Sequence, residues 1–295
     1  MIGIILAGGE GTRCYPNTIV TSKHLLPLYN KPMIYYSIAL LMEANIREII
    51  LIVSEHHFLQ YTTLLGDGSR FGISLRYVVQ KKPLGTAHAL SLVKDYIKGQ
   101  HCILTYGDNY INSAKINDYL GKSLQKPCVT IFAHSVDTPS DYGIVEFSSE
   151  GKVLSLEEKP RFPKSNYAMI GLFCFDPSVC EKLEKITLSA RNEYEITDVL
   201  NQYLCLNQLE AILLEETDEW SDLGNAESIT FWSNKIMIDE IKKGVLRGYL
   251  EEIALRKGWL YPLDLMPNII NYQKSQYGRI ILDILNNKYE VKTDA

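Results

Sequence analysis

The chain of 295 residues predicts an α/β fold: a mostly parallel sheet flanked by helices, with an antiparallel insertion and a C-terminal helical region. Three observations predict it. Apolar runs of strand length alternate with stretches whose apolar residues recur at helical spacing; the apolar period switches to two over residues 142–156; and no strand-like run follows Asp239. Residues 1–240 therefore read as one domain, with the antiparallel block at about 140–175, and residues 241–295 as an appended helical region.

The first run, Ile2-Gly3-Ile4-Ile5-Leu6, is a strand that passes directly into Ala7-Gly8-Gly9-Glu10-Gly11-Thr12-Arg13. Glycines at 8, 9 and 11 let the backbone take positive φ and let an anion approach the amides without meeting a Cβ. Arg13 adds a planar fork of fixed charge, and Lys23 a second, more mobile cation. The stretch reads as a phosphate-cradling loop made by Gly8, Gly9, Gly11, Thr12 and Arg13. It lacks the Gly-Lys-Ser/Thr of a P-loop and the third glycine of the dinucleotide fingerprint.

Ile34, Ile38 and Leu41 then fall on one face of a helix ending near Asn45, and Glu48-Ile49-Ile50-Leu51-Ile52-Val53 is an unbroken apolar run, the mark of a strand covered on both faces. A polar helix near 56–65 leads to a strand over 75–80. Leu90, Val93 and Ile97 make a helical stripe before a strand over 102–106. Such alternation implies right-handed crossovers, with ligands bound at the carboxyl ends of the strands. Four such ends carry suggestive residues: the glycine loop, Gln80, Gly107-Asp108-Asn109, and Trp220-Ser221-Asp222-Leu223-Gly224 beyond a strand over 209–214. Between them, 142–147 and 153–156 form a hairpin around Ser149-Glu150-Gly151, and Asn166 to Phe175 a further strand. Helical spacing returns at Ile196, Val199, Leu200 and Tyr203, at Ile229, Trp232 and Ile236, and in pieces at 251–256 and 275–286.

The composition is globular, with 46% apolar and 22% charged residues. A net charge of -5 argues against nucleic acid as a partner, and the lack of a long apolar segment argues against a membrane. A cytosolic, cytoplasmic protein is expected, its six scattered cysteines reduced and serving as small core residues. His24, His56, His57 and His88 have no metal-binding partner at clear spacing and read as structural or surface residues.

Asp108 and Asp222 stand out because two carboxylates facing a triphosphate are what Mg²⁺ requires beside phosphate oxygens. Blander readings make Asp108 a turn residue and Asp222 a helix cap. Taken alone, Lys159 is a solvated turn residue before Pro160, Arg191 a surface partner of Glu193 or Glu195, and Glu158 an exposed charge on the hairpin.

Gly-Gly-Glu-Gly-Thr-Arg (8–13), Ser-Lys-His-Leu-Leu-Pro (22–27) and Lys-Pro-Met-Ile-Tyr-Tyr (31–36) together resemble the signature of the sugar-1-phosphate nucleotidyltransferases, most closely the glucose-1-phosphate thymidylyltransferase branch. The resemblance continues through 65–68, 107–109, 156–160, 195–198 and 251–258, nearly the whole chain in the expected order. It implies a Rossmann-like nucleotidyltransferase sheet with a sugar-binding antiparallel insertion. It also implies attack of a sugar 1-phosphate on the α-phosphorus of a nucleoside triphosphate, with pyrophosphate leaving. By resemblance Asp108 and Asp222 hold Mg²⁺, and Arg13 and Lys23 bind the triphosphate; Gln80, Gly8 and Gly85 read the base. Lys159 and Arg191 grip the sugar phosphate, while Asn109, Gly143, Glu158 and Gly171 contact the sugar. The helical tail resembles the region relatives use for oligomer contacts and a second, feedback nucleotide site, so a homotetramer is expected.

Two stretches depart from the thymidylyltransferase pattern. Leu84 stands where that branch commonly carries Asp, and Tyr110-Ile111-Asn112-Ser113 lacks the usual aromatic-glycine loop. The first reading is dTTP with glucose 1-phosphate; UTP or another nucleotide and sugar pair is the alternative. From other classes, a regulatory subunit with a dead centre conflicts with the presence of Arg13, Lys23, Asp108 and Asp222, and a dehydrogenase with the missing third glycine.

Overall fold

The apolar run at the amino end forms β1 (Ile2–Ala7) in a computed structural model that describes residues 1–286. Residues 287–295, the end of the expected helical region, lie outside the described residues. A short ribbon, β2 (Pro27–Leu28) and β3 (Lys31–Pro32), precedes helix Ile34–Glu43. There follow β4 (Glu48–Ser54), helix Phe58–Leu65, β5 (Ser74–Gln80), β6 (Cys102–Tyr106) and β7 (Tyr110–Asn112). The middle of the chain supplies β8 (Val129–Ser135), β9 (Gly143–Phe147), β10 (Val153–Glu158) and β11 (Tyr167–Phe175). Helix Ile196–Cys205, β12 (Leu209–Leu213), β13 (Glu219–Ser221) and helix Ala226–Lys243 complete the α/β part.

Among the described residues the main sheet has nine strands, running β10-β9-β11-β6-β1-β4-β5, with β8 beside β11 and β12 beside β8. β6, β1, β4 and β5 are mutually parallel, as the strand and helix alternation requires. β11 is the seam, antiparallel to β6, β8 and β9. The expected hairpin is present as β9 and β10, and the antiparallel block continues the parallel sheet through β11.

The sheet is covered on both faces because alternate residues of each strand point oppositely. In β1, Ile5 joins a cluster with Ile38, Leu41 and Leu51, while Ile4 joins one with Leu90, Leu104 and Leu200. The stripe at Leu90, Val93 and Ile97 is buried as expected, but Leu90 and Ile97 lie on two short helices, Thr86–Ser91 and Lys94–Ile97, and Val93 in the turn between them. The strand β8 and helix Pro262–Ile269 had no counterpart in the sequence reading.

After Lys243 the chain is helical, at Leu250–Arg256, Pro262–Ile269 and Gln276–Leu285. These helices pack into the Ile5 cluster through Leu250, Ile253, Leu265 and Ile281. Arg256 also pairs with Glu43 on the first helix. Among the described residues no helix is long and apolar enough to cross a membrane. All six cysteines are free; Cys14, Cys102 and Cys174 are buried, whereas Cys205 is exposed.

Candidate active site

The glycine loop leaves β1 at the carboxyl edge of the sheet. Gly11 takes φ +66°, and its carbonyl accepts from Thr18 Oγ1 at 2.7 Å, which folds the loop back before the turn Thr12–Cys14. That turn aims Arg13 across the cleft at Asp222, with Nη2 and Oδ2 3.4 Å apart. The Arg13 side chain is 62% exposed, so its charge is free to meet a ligand. Asp222 follows the short strand β13, with its Oδ1 accepting from the Gly224 amide at 3.3 Å.

Asp108 follows β6 and is paired with Lys23, whose side chain is only 8% exposed. Burial works to raise the Asp108 pKa, yet the Lys23 charge, the neighbouring His24 and the hydrogen bond from Lys23 prevail and hold it below the usual carboxylate range. His24 is buried, with Nδ1 3.1 Å from Ser22 Oγ and 3.2 Å from Tyr61 OH. Burial pushes its pKa down to about 4, against the pull of Asp108. The expectation that His24 is structural fits this packing.

A second cluster lies on the antiparallel side. Glu158, at the end of β10, accepts from Thr197 Oγ1 at 2.7 Å and pairs with Arg191 at 3.3 Å. Arg191 also meets Glu193 at 3.4 Å and Glu195 at 3.3 Å, so three carboxylates share one guanidinium. Burial, then the charge of Glu158, raises the Glu195 pKa, with Arg191 opposing. Lys159 takes φ +44° and, among the described residues, makes no ion pair, which leaves its ammonium available. Gly143 opens β9 against Glu158, and Gly171 sits at the irregularity where β11 changes register against β8.

Asn109 is 3% exposed and turned inward. Its Nδ2 donates to the carbonyls of Ile170 (2.6 Å) and Gly171 (3.0 Å), and its Oδ1 accepts from Trp220 Nε1 at 3.2 Å. The side chain thus ties β6, β11 and β13 together at the cleft floor. Gln80, at the end of β5, lies beside Gly8, and its Nε2 donates to the carbonyl of Gly85 at 3.3 Å.

One cleft of about 240 Å³ is lined by Arg13, Asp108, Asp222, Glu158, Lys159 and Arg191. Asn109, Gly143 and Gly171 line it too, so the residues singled out for the metal and the sugar phosphate converge. Gln80 and Gly85 lie outside that lining, toward the glycine loop. The sequence reading gave no role to Tyr142, Tyr106 or Thr197. Tyr142 packs edge-on to Trp220, 5.4 Å between centroids, and only the sheet order brings it there. His88, expected to be structural or surface, lies with Nδ1 3.1 Å from Gln80 Nε2. The arrangement can hold polyphosphate against cations at one end and a phosphorylated, hydroxyl-rich molecule at the other, with two carboxylates between.

The family model described as nucleotidyl transferase matches residues 2–237. The chain is 40% identical over 288 residues to a glucose-1-phosphate thymidylyltransferase of Mycolicibacterium smegmatis, covering 98% of this chain and 100% of the relative. It is 39% identical over 286 residues to the protein of that name from Neisseria meningitidis, covering 97% and 99%. Among solved structures, one titled a putative glucose-1-phosphate thymidylyltransferase from Bacillus anthracis, in complex with sucrose, aligns with a TM-score of 0.74 and 35% identity over 80% of this chain and 95% of that one. A UDP-glucose pyrophosphorylase shares the fold, with a TM-score of 0.68, 22% identity and coverage of 79% and 97%. With one family model spanning the sheet and relatives matched end to end, the chain belongs to the nucleotidyl transferase family and is a nucleotidyltransferase.

Proposed function

We propose that this nucleotidyltransferase joins dTTP to glucose 1-phosphate, giving a nucleotide sugar and pyrophosphate. The observation that carries the reading is the two ion pairs, Lys23 with Asp108 and Arg13 with Asp222, whose carboxylates line one cleft together with Lys159 and Arg191. The substrate identities are supported by the names of the full-length relatives.

In this reading a phosphate oxygen of the sugar phosphate forms a bond to the α-phosphorus. The bond from that phosphorus to the bridging oxygen breaks, and its electron pair leaves with pyrophosphate. The nucleophile is already an anion, so no side chain has to remove a proton, and the barrier is charge repulsion and misalignment. Arg13 and Lys23 offset the charge of the triphosphate and the leaving diphosphate, on the amides of Gly8, Gly9, Gly11 and Thr12. Lys159 and Arg191 bind the sugar phosphate. Glu158, Gly143, Gly171 and the main chain around Asn109 set the sugar, and Gln80, Gly8 and Gly85 set the base.

Asp108 and Asp222 suit Mg²⁺. Both are carboxylates at one cleft, and each is neutralised by a side-chain cation, which marks them as places for positive charge. When bound there, the ion supplies Lewis acidity and neutralises phosphate charge. A cytosolic setting and a homotetramer belong to the same reading. Exposed apolar residues such as Phe231, Ile241 and Leu263 give subunits surface to share.

The test is pyrophosphate release over a grid of triphosphates and sugar 1-phosphates, with and without Mg²⁺, for the wild type and a double variant, Asp108→Ala with Asp222→Ala. Release that needs dTTP, glucose 1-phosphate and Mg²⁺, and that the double variant loses, is expected. Preference for UTP or another sugar replaces the named substrates, and no release with any pair leaves a nucleotide-sugar-binding regulatory subunit. Light scattering at four chain masses is expected, and a monomer refutes the tetramer.

A further inference from the structure

Gln80 is 8% exposed and its amide is held at the nitrogen end by two acceptors. Its Nε2 lies 3.3 Å from the carbonyl oxygen of Gly85 and 3.1 Å from Nδ1 of His88. A carbonyl only accepts, so the nitrogen end of the amide is on that side and both its N–H groups are used. The Nδ1 of His88 then has to accept as well, which puts the ring proton of neutral His88 on Nε2. The oxygen of the amide points the other way, over the glycine loop: a Cβ built on Gly8 would lie 2.7 Å from it.

We propose that His88 is a positioning residue that fixes the direction of the Gln80 amide and so makes the base site select a base with a ring N–H on its pairing edge, uracil or thymine, over cytosine. The inference rests on the reading of this site as a nucleotide site. The chemistry is complementary: N3 of uracil or thymine carries a proton that an amide oxygen can accept, whereas N3 of cytosine carries a lone pair and meets that oxygen in repulsion. A site built around one hydrogen-bond direction rejects the opposite one because its own polar atom is left unpaired. Without a partner at position 88, the amide keeps only the weaker hold of Gly85 and turns over readily.

Protonation of the ring has the same result. His88 with a proton on Nδ1 no longer accepts from Gln80 and draws the amide oxygen toward itself. The ring stacks on Tyr194 at 6.2 Å between centroids, and His88 shares the lining of one pocket with Leu84, Ser91, Leu183 and Ile186. Burial lowers the His88 pKa and no charged side chain contributes, so the neutral ring is the form present at pH 8. The preference for thymine weakens as the pH falls below the ordinary imidazole range.

The experiment measures Kd for dTTP and dCTP by calorimetry on the full chain, for wild type, His88→Ala and His88→Asn. Asparagine places a side-chain oxygen where the imidazole has Nδ1, and it does not titrate. The wild type at pH 8 is expected to favour dTTP. His88→Ala should reduce the dCTP-to-dTTP Kd ratio at least tenfold, and His88→Asn should keep it. Between pH 8 and pH 5.5 the wild-type ratio should fall while that of His88→Asn stays level. An unchanged ratio in His88→Ala overturns the proposal, as does loss of the ratio in a His88→Asn protein with a wild-type melting curve. Wild type that binds neither triphosphate overturns the nucleotide reading of the site itself, and the proposal with it.

Discussion

Arg13 and Asp222 meet at 3.4 Å although 209 positions separate them in the chain. Because Arg13 is mostly exposed, its removal touches little of the fold, and its worth lies in the charge it offers a departing diphosphate. Arg13→Ala is expected to lower kcat/KM by about 2–4 kcal/mol, the loss typical of a preorganised electrostatic donor, with the melting temperature unchanged. Steady-state kinetics beside a thermal melt checks both halves. His24 makes the opposite prediction, on stability. Its folded pKa, about 4, lies below the ordinary imidazole value, so the unfolded chain binds more protons between the two. The contribution is fully present above pH 6.5 and is lost as the pH falls toward 4, costing about 3 kcal/mol by linkage. Urea unfolding of wild type and His24→Gln at pH 7 and pH 4.5 should show a smaller acid loss in the variant.

At the scale of elements, β11 joins the two halves of the cleft. Among the described residues it is antiparallel to each strand it pairs with, β6, β8 and β9, and against β8 it breaks register between Met169 and Phe173. Gly171 makes that break possible at φ +66°, with the Tyr106 ring so close that an added Cβ would overlap it. The carbonyls of Ile170 and Gly171 thereby turn toward Asn109. Gly171→Ala should cost about 2–4 kcal/mol, from left-handed strain plus overpacking, and should also lower activity by moving Asn109 and Trp220. A lower urea midpoint with an unchanged slope is the expected trace. The strand β8, Val-Thr-Ile-Phe-Ala-His-Ser, was missed because its apolar residues are interrupted at Thr130 and His134 and form neither an unbroken run nor a clean period of two. Its partners β11 and β12 come later in the chain, so only pairing reveals it.

At the scale of the molecule, the helices after Lys243 are part of the central core. Tyr249, Leu250, Ile253 and Ile281 pack with Ile34, Ile38 and Leu41, and Arg256 reaches Glu43. A chain ended at residue 240 strips one face of the first helix and exposes that apolar surface. It should fail to unfold cooperatively, and differential scanning calorimetry without a sharp transition is the expected record. Local patterns sufficed for the strand and helix alternation, the glycine loop behind β1, the hairpin and the helical tail, because period, turn chemistry and apolar run length act over a few residues. The types of Asp108, Asp222, Arg13 and Lys23 were likewise readable from the chain. Their pairing was not, nor was the inward turn of Asn109, the approach of Glu158 to Arg191, or the contact of His88 with Gln80; the pairing of Arg191 with Glu193 or Glu195 was legible from their nearness in the chain. Those depend on strand order, and strand order is decided by which apolar faces can be buried together across the whole sheet, a sum that no stretch of sequence carries alone.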